Sequence, residues 1–525
     1  MARQSHNVEK NAVLELVVGV LLILVLFALS LAIFANAMTK PLGRDEHMYC
    51  TAGALMSQGK LIYRDFTYVA QLPYHPLLLG AIYKVFDTTR YLLAGRLVCV
   101  ICDILTMLCI VLVFRRAFKG HRIYVSLFGM CGALLYVYNP VVDYANGYAW
   151  NNDVVVFCVI LSVFLFGNIE PDKKSRFWYS AAIGVLLTMA TFMRMTTIVV
   201  EGLFLIMLLA LPAGRIAGRI KNALPFLVVS LILSIWPIWI IVQSPRAFIV
   251  GAFRIHMLNS QWLQQIGMVF EKTQMGIALL TQPGYFLLLI AFGFILVAVI
   301  TNSLKHKMPN LLIAVLPALI ATFYFILAFG LPTIWRQYLA PPVPFIIIAL
   351  AYPLSFLRET AAKQGRRLLY IVGVVLFSMA TLVAMAFGPN NLDRIAMLGN
   401  SAQWTPMQVH SISKDIAAKV GESKLILTAA PLYAIEGGCK IYPEFSAGIF
   451  PYRIGELLTD KERTFSHTVG PKGIGVLVEK SPPAAVLVGI EPSQFKFLEE
   501  PFRAVPKEDW KSKTYGNGLT LYYKP

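Results

Sequence analysis

Apolar residues fall along this chain in long unbroken runs, not in the alternating or one-face patterns of soluble strands and helices. Eleven runs approach the length that crosses about 30 Å of hydrocarbon as a helix: 12–37, 91–114, 123–138, 154–167, 177–193, 195–211, 223–243, 284–301, 311–329, 339–357 and 368–388. The run 154–167 is short, and Arg194 with Thr196-Thr197 is all that divides 177–193 from 195–211. After Phe387-Gly388-Pro389 the apolar density collapses. There the pattern predicts a helix over 406–420, a buried strand over 424–428 and a helix over 451–461, then strands over 484–490 and 519–523. The expected architecture is an α-helical polytopic membrane domain, residues 1–388, followed by a small α/β domain outside the membrane, residues 389–525.

The polar segments between the runs alternate in character. Six short ones are basic: the N-terminus (Arg3, Lys10), 115–122, 168–176, 212–222 (Arg215, Arg219, Lys221), 302–310 (Lys305, Lys307) and 358–367 (Arg358, Lys363, Arg366, Arg367). All six fall on one side, which the positive-inside rule makes cytoplasmic. The loops 38–90 and 244–283 and the tail 389–525 then lie outside, in the periplasm or extracellular space, with the bacterial inner membrane as the expected site. Ala35-Asn36-Ala37 resembles a signal-peptidase site, but the apolar run before it is longer than an ordinary signal peptide's, so an uncleaved anchor is expected.

Composition sharpens this. Of 525 residues 57% are apolar and 14% charged, against about 25% charged in an average soluble domain. The formal charge of +18, from 46 Lys+Arg against 28 Asp+Glu, invites a nucleic-acid reading. Its excess sits mostly in the cytoplasmic loops, so it records orientation, not a nucleic-acid face. The seven cysteines form no framework. Cys99 and Cys102 lie within a span, and Cys50 and Cys439 are outer residues whose pairing is not favoured.

Ionisable residues near the membrane are candidate functional groups by default. Asp45 and Glu46 follow the first span and are the candidate catalytic pair. A carboxylate at a partly dry rim has its pKa raised and can take a proton from a hydroxyl, although Arg44 beside it opposes that shift. The bland alternative is a capping turn with Asp45 at the helix N-cap. Tyr74 and His75, in Leu72-Pro73-Tyr74-His75-Pro76, make a rigid interfacial turn. The loop 139–153 carries no Lys or Arg but many Asn, Tyr and Asp, ending in Asn152 and Asp153. Such a set suits sugars, whose hydroxyls need polar partners and whose C–H faces stack on rings. Arg194 and Arg336, the latter just before Tyr338, are outer-side arginines at a depth where a phosphate or carboxylate is the natural partner. Arg96 and Asp103 share a helical face and read as structural pairing, and Glu201 has no evident partner. No nucleotide-binding or metalloprotease motif appears.

Together these features resemble the GT-C superfamily of polytopic glycosyltransferases, in the branch of protein O-mannosyltransferases and the lipid A aminoarabinose transferase. The resemblance spans nearly the whole chain. Asp45-Glu46 match that family's acidic pair, and Asp153 matches its Asp at the start of the fourth span. Arg194 matches a basic residue after the fifth, and Arg336-Gln337-Tyr338-Leu339-Ala340-Pro341 is similar to its Arg-Tyr-Leu-Leu-Pro motif. Leu72-Pro73-Tyr74-His75-Pro76-Leu77 stands where many members carry Lys-Pro-Pro-Leu, without the lysine. The resemblance implies inverting sugar transfer from a polyprenyl-phosphate donor to a hydroxyl of a lipid, glycan or protein acceptor. Asp45 is then the base, and Arg194 and Arg336 stabilise the leaving phosphate. Glu46 and Asp153 orient substrates, with Arg44, Tyr74, His75, Asn152 and Tyr338 around them. Membrane lipids are the other expected partner, and nucleic acid is not. No metal ligands are read, and a divalent metal is left open as the one cofactor. The rivals are a lipid or sugar transporter and a non-catalytic assembly subunit. No internal repeat speaks for a transporter.

Overall fold

The computed structural model describes residues 2–170, 173–212, 216–268, 271–303, 308, 311–331, 333–364, 367–516 and 518–524. The basic residues Arg215, Lys305, Lys307 and Arg366 lie outside the described residues.

All eleven apolar runs are helical. Seven helices among the described residues are long and apolar enough to cross a bilayer: Ala12–Thr39, Tyr91–Ala117, Ile216–Gln243, Pro283–Thr301, Leu311–Gly330, Arg336–Ala361 and Arg367–Phe387. Arg122–Val137, Asn152–Gly167 and Met195–Ala210 are apolar but shorter. Sixteen residues, the length of the first two, rise about 24 Å as a helix, short of the hydrocarbon thickness. The expected count of eleven spans is thus not reached by length and composition.

Burial separates a core from a lipid-facing ring. The most apolar window of Arg336–Ala361 is 89% buried, whereas those of Ala12–Thr39, Ile216–Gln243 and Arg367–Phe387 are 17%, 22% and 28% buried. The ring helices expose Leu16, Phe27, Leu231, Ile235, Leu368 and Leu382. In lipid that exposure carries no hydrophobic penalty, so the sequence is free to place large apolar residues outward.

Two polar devices fix the helix starts near the site. The helix Arg44–Ser57 begins at Gly43, and the Glu46 carboxylate reaches back to accept the Gly43 N–H at 2.7 Å. Gly43, not Asp45, is therefore the N-cap residue. The short helix Pro140–Ala145 is capped by the Asn139 side chain, which accepts from Val141 and Val142 N–H at 3.0 and 3.2 Å.

The tail builds a five-stranded sheet. Its strands are β1 (Leu425–Thr428), β2 (Lys440–Ile441), β3 (Ala485–Val488), β4 (Lys511–Thr514) and β5 (Thr520–Tyr523), ordered β2-β1-β3-β5-β4. β1 runs parallel to β2 and β3, and β5 antiparallel to β3 and β4. The central β3 is wholly buried. The expected helix 451–461 is instead two, Ile449–Arg453 and Asp460–Phe465. Gly455 lies between them, and a Cβ there would meet Gly470 backbone at 2.6 Å. The chain turns where it must approach that backbone, and Thr459 with Glu462 caps the second helix. The sheet region is tied to the bundle through Glu436, which accepts Leu92 N–H at 3.2 Å and lies 3.1 Å from His410 Nδ1.

Candidate functional site

The helix Arg44–Ser57 carries the centre of the site. At 100° per residue, neighbours in sequence point apart while i and i+4 share a face. Asp45, Met48 and Tyr49 accordingly line a cavity of about 320 Å³, with Arg44 at its edge. Glu46 and Cys50 turn the other way and are fully enclosed.

Glu46 is one half of a buried ion pair. Arg96, from the helix Tyr91–Ala117, donates Nε to Oε1 and Nη2 to Oε2, both at 2.8 Å. The remaining Arg96 N–H groups go to the carbonyls of Ala37, Lys40 and Pro41. Glu46 also accepts Ala149 N–H at 2.7 Å. The pair therefore binds four segments together at one point: the end of the first span, the turn before Arg44, the helix Tyr91–Ala117 and the loop 146–151. The expected Arg96–Asp103 pairing is not formed. Asp103 accepts instead from Tyr136 Oη and, at 2.6 Å, from Asn146 Nδ2.

Asp45 stands where two chambers meet. The first includes Arg44, Tyr148 and, from the tail, Phe450 and Arg453. The second, about 300 Å³, includes Asn152 and Arg194 and is walled by Tyr324, Leu327 and Ala328 of the apolar helix Leu311–Gly330. Both share Asp45, Tyr49, Gln71, Trp150, His256, Gln337 and Tyr338. Burial raises the Asp45 carboxyl to about 6; Arg453 and Arg44 oppose that rise, and Glu46 adds to it. At neutral pH Asp45 is ionised yet basic enough to accept a proton.

The loop facing Asp45 is under backbone constraint. Ala70, shared by both chambers, has φ +62, a conformation that favours glycine. It is held by its N–H to Gly251 O at 2.7 Å. Next to it Gln71 accepts Asn151 Nδ2 at 2.6 Å through Oε1, which leaves its amide N–H groups for the cavity.

In the second chamber Arg194 donates Nη1 to Asn152 Oδ1 at 3.1 Å and lies 5.7 Å from the Tyr338 ring centre. It has no carboxylate partner among the described residues. A guanidinium beside an apolar wall and next to a basic carboxylate is suited to a phosphate.

Asp45, Arg44, Asn152, Arg194 and Tyr338 are thus brought together as expected. Five expected residues lie elsewhere. Glu46 faces away, as above. Arg336 stacks on Tyr144, 4.4 Å from its ring centre, and lines neither chamber. It opens a single 3-10 turn, Arg336–Leu339, which turns Gln337 and Tyr338 inward in its place. Tyr74 bonds Leu233 O and stacks on Trp236. His75 is buried edge-on against Tyr49, ring centres 4.8 Å apart, and burial depresses its pKa to about 3. Asp153 is enclosed behind the chamber, accepting Gly147 N–H at 2.8 Å. Glu201, without an expected partner, accepts the hydroxyls of Thr188 and Thr191 at 2.7 and 2.6 Å. Cys50 and Cys439 are both free.

Tyr49, Gln71, Trp150, His256, Gln337 and Arg453 line the site without having been expected. Tyr49 follows from the i+4 spacing to Asp45. Arg453 comes from a tail helix with no motif around it.

The donor set does not fit a divalent cation. No three His, Cys, Asp or Glu side chains gather among the described residues, and the groups nearest Asp45 include the cations Arg44 and Arg453.

Residues 71–241 match the family model described as dolichyl-phosphate-mannose-protein mannosyltransferase. No curated protein matches the chain by sequence. Among solved structures the chain is similar to ArnT from Cupriavidus metallidurans bound to undecaprenyl phosphate, at 15% identity and a TM-score of 0.60, covering 96% of this chain and 97% of that one. It is also similar to the Archaeoglobus fulgidus oligosaccharyltransferase in the apo form, at 11% identity and a TM-score of 0.51, covering 97% and 74%. The same archaeal protein in complex with Zn and sulfate matches at a TM-score of 0.54 and 11% identity, covering 96% and 73%. The fold is that of the GT-C membrane glycosyltransferases, the class that the sequence resemblance implied. The chain is an integral membrane protein.

Proposed function

We propose that this chain is an inverting glycosyltransferase that moves a sugar from a polyprenyl-phosphate donor to a hydroxyl of a lipid, glycan or protein acceptor. The observation that carries the reading is the position of Asp45 at the junction of two chambers, one of them holding Arg194 against the apolar helix Leu311–Gly330. Asp45 takes the acceptor hydroxyl's proton as its oxygen attacks the anomeric carbon from the first chamber. The bond to the phosphate oxygen breaks in the second chamber. Arg194, steadied by Asn152, meets the charge that grows on the phosphate. Tyr49, Gln71 and Gln337 are the polar groups left for the sugar between them. The prenyl chain leaves along Tyr324, Leu327 and Ala328. The structural relative bound to undecaprenyl phosphate and the matched mannosyltransferase segment support a lipid-phosphate donor, and neither supports the transporter alternative.

Residues 1–388 form the transferase domain and 389–525 an extracytoplasmic module that closes over the first chamber. The basic loops support a cytoplasmic N-terminus, and the bacterial inner membrane is the proposed location.

The test is transfer in liposomes holding this chain alone and a polyprenyl-phosphate sugar. Product that depends on the chain and disappears in a folded Asp45→Asn variant supports the reading. Full transfer by that variant overturns Asp45 as base.

A further inference from the structure

Among the described residues Arg453 is the one cation that the tail contributes to the first chamber, and its environment is unusual for an arginine. The residue is 7% exposed. Its guanidinium lies against two aromatic rings, 5.3 Å from the Trp262 centre and 4.9 Å from that of Phe450. Its Nε is buried with no hydrogen-bond partner, and no described residue accepts a bond from the rest of the group or forms an ion pair with it. Burial depresses its pKa to about 10, with Arg44 adding to that effect and Glu491 and Asp45 opposing it. It therefore stays charged at neutral pH. Arg44, at the edge of the same chamber, is already committed to Glu491.

A buried, charged guanidinium with open donors is costly unless something pairs with it. Its planar fork matches two oxygens of a phosphate or carboxylate, and the flanking rings fix the plane in which the fork is presented. It borders the chamber where the proposed acceptor enters, on the opposite side of Asp45 from Arg194.

We propose that Arg453 is an oxyanion subsite, and that the acceptor carries a phosphate or carboxylate group that Arg453 grips while a neighbouring hydroxyl is presented to Asp45. This rests on the glycosyltransferase reading above for the word acceptor, but binding of the anion does not. The apolar rings of Trp262 and Phe450 beside it remove water from the contact, so the subsite selects acidic over neutral acceptors. Specificity then comes from the tail, while the chemistry stays with the membrane bundle.

The experiment measures binding of three probes, glycerol 1-phosphate, glucuronic acid and glucose, to the full-length protein in nanodiscs without donor. Wild type, Arg453→Gln, Arg453→Lys and Arg194→Gln are compared. The expected result is saturable binding of at least one acid and not of glucose. Affinity falls tenfold or more in Arg453→Gln and is partly kept in Arg453→Lys, while Arg194→Gln reports any share of the acid held at the leaving-phosphate site. Which acid binds tells phosphate from carboxylate. Failure of both acids to bind overturns the proposal. So does equal binding by wild type and Arg453→Gln, or loss only in Arg194→Gln. Unfolding in nanodiscs reports whether each variant is folded, and Arg453→Lys carries the test if Arg453→Gln is not. Should Asp45→Asn retain full transfer while acids still bind through Arg453, the catalytic reading fails and the subsite stands.

Discussion

Arg96 holds Glu46 through both carboxylate oxygens at 2.8 Å, and neither side chain reaches solvent. Two adjacent acidic residues thereby acquire opposite roles. Glu46 is spent on anchoring the start of the helix Arg44–Ser57, and Asp45, one position earlier, is left facing the cavity. The anchoring matters to the chemistry because Asp45 has no hydrogen-bonded partner of its own among the described residues that fixes its direction. Its placement is inherited from the helix.

Breaking that pair should unfold the site. Glu46→Gln or Arg96→Met leaves one uncompensated charge in a dry interior, a loss of about 3–5 kcal/mol. Both variants are expected to unfold at markedly lower temperature in detergent and to lose transfer activity in parallel. Thermal unfolding of the purified variants checks this. A Glu46→Gln protein as stable as wild type but inactive would make Glu46 catalytic and reverse the assignment.

Much of the fold was legible because lipid writes long apolar runs into the sequence, and each run became a helix. Burial within the bundle was not, since Arg336–Ala361 at the centre and Ile216–Gln243 at the rim are both continuous apolar stretches. In the tail, β1, β3 and β5 carry apolar signals, while the edge strand β4 reads Lys-Ser-Lys-Thr and is invisible to periodicity. Candidate site residues were legible where charge falls at the edge of an apolar run, as with Asp45 and Arg194. The orientation of Arg336 was not legible, because a 3-10 turn decides which of four adjacent residues points inward. Arg453 was not legible, because Asp45, whose chamber it lines, lies some 400 positions away in the chain.

The pH dependence follows from Asp45. Only its ionised form can take a proton, so the transfer rate is expected to fall as pH drops through about 6. The stability sign runs the other way. Folding raises this carboxyl from its usual 3.8, so the stability its protonated form contributes is fully present below about 4 and is lost as pH rises through about 6. Asp45→Asn, which carries no charge, should therefore be more stable than wild type at pH 7, by on the order of 1–3 kcal/mol. Near pH 4 the difference should vanish. Unfolding curves at the two pH values check this, and a variant less stable than wild type at pH 7 contradicts it.

Arg194 and Arg336, both on the outer side, should separate. Arg194 faces the chamber and meets developing charge, so Arg194→Gln is expected to lower the rate about 10²–10³-fold, as loss of a transition-state donor does. Arg336 stacks on Tyr144, a wall residue of the first chamber, but itself lines neither chamber, so Arg336→Gln should change the rate only a few-fold and act through stability. Single-turnover transfer with both variants distinguishes them. Equal losses would return Arg336 to the leaving-group site.

The loop opposite Asp45 depends on one close approach. A Cβ at Gly251 would stand 2.5 Å from Tyr68 O, and Gly251 O is the acceptor that holds Ala70 N–H at 2.7 Å. Backbone faces backbone there, so nothing flexible can yield. Gly251→Ala must push the segment carrying Ala252 and His256 away from the loop carrying Gln71, widening both chambers. Because displacement of about 1 Å can lower a rate on the order of 10²-fold, transfer should fall by at least tenfold while the lipid-facing helices remain folded. Ala70→Gly acts oppositely. It relieves a left-handed backbone that disfavours a side chain by about 1–2 kcal/mol, so it should keep or slightly raise stability. Activity and unfolding of the two variants together give the check, and a Gly251→Ala enzyme with wild-type turnover would show that this contact does not set the cavity.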